Sequence, residues 1–214
     1  MLDRTRLSRI QDKATGVASK LSSRTVDGRL PFGAEHHKYR MNPPIAPGEL
    51  ETFEVLHGIR LPEDYRCFLL EVGDGGAGPA YGVLPLRYWA WHVSEWNHLT
   101  GSPRPLVERP SASYLASPCQ LRADVDYDGT WQERLAPQDY DSFQGMMAVC
   151  YQGCADCVLL VVSGAERGRL VSVGESWNPP VFLPMPDFLS WYETWQDSVL
   201  SDERLVWTGY PPKR

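Results

Sequence analysis

The sequence predicts an α+β fold: an antiparallel, mainly meandering sheet flanked by helices. Three stretches carry that prediction. Leu61–Leu86, LPEDYRCFLLEVGDGGAGPAYGVLPL, reads as a short helix, a glycine-rich turn and an extended run. Met146–Gly174 reads as three short strands joined by tight turns. From Phe188 to Val199, apolar side chains repeat at i, i+3, i+4, i+7 and i+11, one face of a helix.

Taken in order, residues 2–21 form a loose amphipathic pattern. Leu2, Leu7, Ile10, Ala14, Val17 and Leu21 share a stripe, with Arg4, Arg6, Arg9 and Lys13 elsewhere. Arginine-rich helices can touch membranes or RNA, but so sparse a stripe reads better as a surface helix or a frayed extension. Residues 22–47, rich in Ser, Gly and Pro, read as linker and irregular cover. Residues 1–44 are therefore expected to be an N-terminal extension. His36 and His37 are adjacent, and neighbours on an extended chain point to opposite sides, so a polar loop is expected rather than a metal pair.

Residues 48–57 predict a helix with Leu50, Phe53, Leu56 and His57 along one side and Gly58 as its stop. The short link to the next helix implies an antiparallel or angled pair. In that next helix Pro62 suits the first position, and Glu63 and Asp64 face the positive end of the helix dipole. Tyr65, Phe68, Leu69 and Val72 make the buried face; Gly73 stops the helix, and Gly75, Gly76 and Gly78 turn the chain. A phosphate loop runs strand, glycines, helix, which is the reverse order, so these glycines read as turn chemistry.

Residues 87–145 are loop-rich and read as an insertion. Tyr88, Trp89, Trp91 and Trp96 could stack bases or line a pocket, or form a satellite core. Within that cluster, residues 87–98, only Arg87 adds positive charge, which argues against nucleic acid. Asp124, Asp126, Asp128 and Gly129 open like an EF-hand calcium loop, but the twelfth position is Leu135, Glu133 comes two residues early, and Pro118 and Pro137 flank the stretch. A strand with the three aspartates on one exposed face is the preferred reading, an acidic ridge suited to a basic partner.

In the meander, Met146–Tyr151, Cys157–Val162 and Arg169–Val173 are the expected strands, the middle one apolar throughout and so central. Cys150, Cys154 and Cys157 have the spacing with which radical-SAM enzymes hold an iron–sulfur cluster. Only 57 residues follow Cys157, too few for the barrel of such an enzyme, and two of the thiols fall inside strands. Buried core thiols are expected, without metal. Residues 201–214 are expected to be a C-terminal tail.

Leu61-Pro62, Asp64-Tyr65, Phe68-Leu69, Gly75-Gly76, Gly78, Tyr81-Gly82 and Leu84-Pro85-Leu86 together resemble the SUKH superfamily, which holds fungal cell-wall-synthesis regulators and bacterial immunity proteins that neutralise toxins. Gly153-Cys154, Val158–Val162, Gly164 and Gly168 are similar to its second block; Leu170-Val171 stands where the family often shows Val-Trp. Phe188, Leu189, Trp191, Tyr192 and Trp195 match its last helix. The resemblance covers about residues 45–200 in order, matches 87–145 poorly and leaves the first 40 residues unmatched. It implies a helical pair packed on one face of a sheet and a non-catalytic binding role. The motif residues read as fold determinants.

Net charge is −6, with +5 in residues 1–40 and −11 in residues 41–214. Such a body suits a basic partner, or simply solubility. The sequence holds no run of about 18 apolar residues, so no transmembrane helix is expected. The charged start is unlike a secretory signal, and five cysteines favour reduced thiols and a cytoplasmic setting. No nucleophile elbow or paired His–carboxylate motif is present, so no catalytic residue, cofactor or metal is expected. The expected function is a module that occludes a basic toxin domain. Asp124, Asp126, Asp128, Glu133, Asp139 and Asp141 would be its contacts, and Trp89, Trp91 and Trp131 its aromatic anchors. A regulatory scaffold without a toxin partner is the alternative, followed by a small metal-dependent enzyme; direct contact with membrane or nucleic acid is not expected.

Overall fold

A computed structural model describes residues 4–20, 31–93, 110–128, 143–154, 156–174 and 179–201. The helices are α1 (Arg4–Ser19), α2 (Ala34–His37), α3 (Pro47–His57) and α4 (Glu63–Cys67), with α5 (Phe188–Leu200) after the sheet. Four strands, β1 (Met146–Gly153), β2 (Asp156–Val161), β3 (Leu170–Val173) and β4 (Val181–Phe182), lie in the order β1-β2-β3-β4. Each pair is antiparallel, so the expected α+β meander is what forms. The two-residue β4 was not foreseen; it is too short to leave an alternating pattern.

The sheet core is apolar on both faces. Cys157–Val161, all of β3, and Met146–Cys150 are buried. The outer edge of β1 is covered by the extended run expected at Tyr81–Leu86. Leu84 N–H donates to Val149 O at 2.9 Å, Tyr81 N–H to Tyr151 O at 3.3 Å, and Ala148 N–H to Trp89 O at 2.7 Å. This run pairs through single bridges at Val83 rather than as a full strand. It still occupies the donors and acceptors that would otherwise invite another chain.

α4 continues without a break into a π-helical turn, Phe68–Val72, closed by Gly73 N–H to Phe68 O at 3.0 Å. The expected buried face holds for Tyr65, Phe68 and Leu69, while Val72 is half-buried. The Phe68 ring lies 4.9 Å from Phe188 and 4.8 Å from Tyr192, edge to face, which joins α4 to α5. The glycine turn then packs backbone on backbone. Gly82 has φ +94, and a Cβ there would sit 2.2 Å from Gly76 O. Turn chemistry is what these glycines supply.

α3 departs from its expected face. Leu50 and His57 are buried, but Leu56 is 66% exposed. Glu54 is buried in its place, its carboxylate held by Arg66 Nε at 2.9 and 3.1 Å and by Leu61 N–H at 2.8 Å. An apolar pattern alone does not reveal a buried charge whose partner sits twelve residues on.

α1 is docked, not frayed. Leu7, Ile10 and Val17 are buried, and α1 lies along α5. Within the stretch expected as irregular cover, α2 forms a helical turn and Met41 bridges Gly76. Cys150 and Cys157 are buried in the hairpin and Cys154 is exposed on its turn. Among the described residues no helix is long and apolar enough to cross a membrane.

Candidate functional site

The acidic stretch at 121–128 is a braced turn. The strand expected there is absent: the chain turns at Ala123–Val125. Alternation fails because the local backbone is tied to neighbours rather than to a sheet. Cys119 N–H donates to Ser163 O at 2.9 Å, and Leu121 is fully buried. Arg122 N–H donates to the Tyr127 hydroxyl at 2.7 Å, and Ala123 N–H to Glu166 Oε1 at 3.1 Å. Leu121 and the half-buried Tyr127 point inward, and burial raises the Tyr127 phenol above its ordinary value.

Asp124, Asp126 and Asp128 are left exposed, as expected, though by a different cause. Arg122 is a nearby cation; its Nε lies 3.4 Å from Asp124 and 3.7 Å from Glu166. Arg167, in the turn after β2, reaches away to Arg60 O at 2.8 Å. Val125, 46% exposed, lies between the first two aspartates. Glu166 and Tyr127 brace this turn, and sequence reasoning passed over both. Glu166 lies more than forty positions from Ala123, so no local signal could pair them.

Trp89 and Trp91 are half-buried against the core. Trp89 packs edge to face on His57 at 4.8 Å and on Phe53 at 6.3 Å. Trp91 lies 5.8 Å from the Tyr88 ring and 5.7 Å from Tyr151. Their ring neighbours differ from those of the aspartates, and both contact the core from partly exposed positions. Glu133, Asp139, Asp141 and Trp131 lie outside the described residues.

The histidines are placed as structural groups. His92 is fully buried, 3.3 Å from the Tyr114 hydroxyl, and burial pushes its imidazole down to about 3. His37 Nδ1 accepts from Tyr39 N–H at 3.0 Å, and burial lowers it to about 4. Both are neutral at physiological pH. Among the described residues no three His, Cys, Asp or Glu side chains converge as a metal site would require.

The motif residues do prove to be fold determinants. Asp64 Oδ2 accepts from Phe188 N–H at 2.8 Å and Leu189 N–H at 3.3 Å, so a residue of α4 caps α5. Asp187 caps the same helix through Ser190 N–H at 2.7 Å. Tyr65, buried beneath this junction, packs on the Phe188 ring at 4.7 Å.

No curated protein matches the chain. Residues 44–197, well over half its length and spanning α4, the glycine turn, the whole sheet and most of α5, match the SMI1 / KNR4 family (SUKH-1), and the protein belongs to that family.

Proposed function

We propose that this chain is a non-catalytic, cytoplasmic protein-binding module, an immunity-type protein that neutralises a toxin by covering its basic active site. Membership of the SMI1 / KNR4 family is consistent with an immunity-type or a regulatory protein. The observation that carries the finer reading is the braced turn with three exposed aspartates. A rigid turn loses little freedom on binding, so more of the contact energy is retained as affinity. Carboxylates on it steer a cationic partner and speed encounter, an effect that falls with salt. The net charge of −11 over residues 41–214 acts in the same direction.

In this reading Asp124, Asp126 and Asp128 contact cations of the toxin and Val125 supplies a small apolar centre. Glu133, Asp139, Asp141 and Trp131 extend the same acidic stretch of sequence. No cofactor takes part, and the partner is protein rather than nucleic acid or membrane.

The test is binding of any basic toxin domain found encoded beside this reading frame, followed by surface plasmon resonance over a salt series. The triple variant Asp124→Asn, Asp126→Asn, Asp128→Asn should slow association roughly tenfold at low salt and flatten its salt dependence. No binding at micromolar protein, or association unaffected by the triple variant, overturns the reading.

A further inference from the structure

α1 lies outside the family match, which starts at residue 44, yet it sits on the last helix of the matched domain. Its cations form a ladder on acids of α5. The Arg6 guanidinium holds Asp187 at 2.8 and 3.0 Å and reaches the Ser190 hydroxyl. Arg9 pairs with Glu193, and Lys13 Nζ lies 2.8 Å from Glu193 and 2.5 Å from Asp197. Beside the ladder, Leu7, Ile10 and Val17 are buried. Two glutamines grip the complex by main-chain contact: Gln196 Nε2 donates to Ile10 O at 3.0 Å, and Gln11 Nε2 to Glu71 O at 2.7 Å.

α1 is a weak helix by itself. Arg4 and Arg6 stand in its first turn with no acid there, opposed by the helix dipole. Its 16 residues are near the length at which isolated helices are marginal in water. Its helical form therefore depends on the surface beneath it, and a segment that folds on docking can be exchanged for another of the same chemistry.

We infer that the acidic face of α5, with Asp187, Glu193 and Asp197, is a docking site for a basic amphipathic helix, and that α1 occupies it in cis. A partner helix with cations spaced i, i+3 and i+7, as at Arg6, Arg9 and Lys13, binds there by displacing α1. This site is separate from the turn at Asp124–Asp128, and the inference stands whether or not the partner is a toxin. A tethered occupant acts at an effective concentration of about 1 mM. A free helix with an intrinsic affinity of about 10 μM is thereby weakened about 100-fold on the intact chain.

The probe is a fluorescent peptide of residues 4–20, titrated by anisotropy into the full chain and into the full-length variant Arg6→Glu, Arg9→Glu, Lys13→Glu. Binding about 100-fold tighter to the variant is expected. Adding Glu193→Arg to that variant should abolish binding, and a peptide carrying Arg9→Glu should restore it, a reversal that misfolding cannot imitate. Equal weak binding to both chains, or tight binding indifferent to Glu193→Arg, overturns the inference. Should the variant not fold, hydrogen exchange on the wild-type chain decides. Amides of Leu7–Val17 must lose protection when millimolar peptide is added, and unchanged protection overturns the inference.

Discussion

Asp64 offers the sharpest test of how this fold is held. The first four N–H groups of a helix have no partner within it. In α5 two of these donors, Phe188 and Leu189, belong to residues with 0% exposure, so water cannot replace a lost acceptor. Asp64 Oδ2 accepts from both, at 2.8 and 3.3 Å. Asp64→Ala strands two buried donors at about 1–3 kcal/mol each, the longer bond at the low end, so about 2–3 kcal/mol in all. Asp64→Asn keeps a carbonyl acceptor and drops the charge. Burial, and then the charge of Asp187, raise the Asp64 carboxyl above 3.8, with the backbone hydrogen bonds opposing. A raised carboxyl binds its proton more tightly in the folded state, so stability falls as pH rises through the window above 3.8. Loss of the charge is therefore cheap, and Asp64→Asn should cost under about 1 kcal/mol. Urea unfolding followed by tryptophan fluorescence reads both variants. With a slope of about 2–3 kcal/mol/M, Asp64→Ala should lower the midpoint by about 1 M and Asp64→Asn by under about 0.4 M. Equal losses in the two variants, or an Ala variant that unfolds with wild type, would refute the capping account.

Three further outcomes follow from the packing. Glu193 is pushed down to about 2, chiefly by its hydrogen bond from Arg9, against burial and with help from Lys13. A lowered carboxyl stabilises the fold above its ordinary value of 4.5 and loses that effect as pH falls toward 2. Glu193→Gln should cost about 1–2 kcal/mol at pH 7 after solvent screening, with the two stability curves converging by pH 2; parallel curves in an acid titration of the urea midpoint count against it. Glu54→Ala leaves the Arg66 charge and Leu61 N–H without their acceptor. It should cost about 3 kcal/mol, lowering the calorimetric Tm by roughly 6–12 °C, whereas the apolar pair Glu54→Leu with Arg66→Met recovers much of it. Gly82→Ala places Cβ 2.2 Å from Gly76 O at φ +94, while at Gly168, φ +95, nothing lies within 4 Å. Soluble yield and Tm should collapse for the first and fall by only about 1 kcal/mol equivalent for the second.

The buried face of α4, the glycine turn, the antiparallel meander and the stripe of α5 were all legible in the chain. Each is written in short-range periodicity or in residues whose backbone freedom is local. The SUKH resemblance rested on the same features, and the family match over residues 44–197 agrees with it. Helix 48–57 was legible as a helix, but one of its faces was misread. Leu56 is exposed and Glu54 buried, because Arg66 and Leu61 supply what a buried carboxylate needs.

What the sequence by itself determined is therefore where α4, the glycine turn, the meander and α5 lie, and which stripe of α4 and α5 is apolar. Only the tertiary structure decided that Arg6, Arg9 and Lys13 meet Asp187, Glu193 and Asp197, that Asp64 caps a helix 124 positions away, and that Glu166 braces the acidic turn. Periodicity follows from the repeat of the backbone and can be read within a dozen residues. A charge carries no address; its partner is whichever opposite group the packed core brings within about 3 Å, and that depends on the whole chain at once.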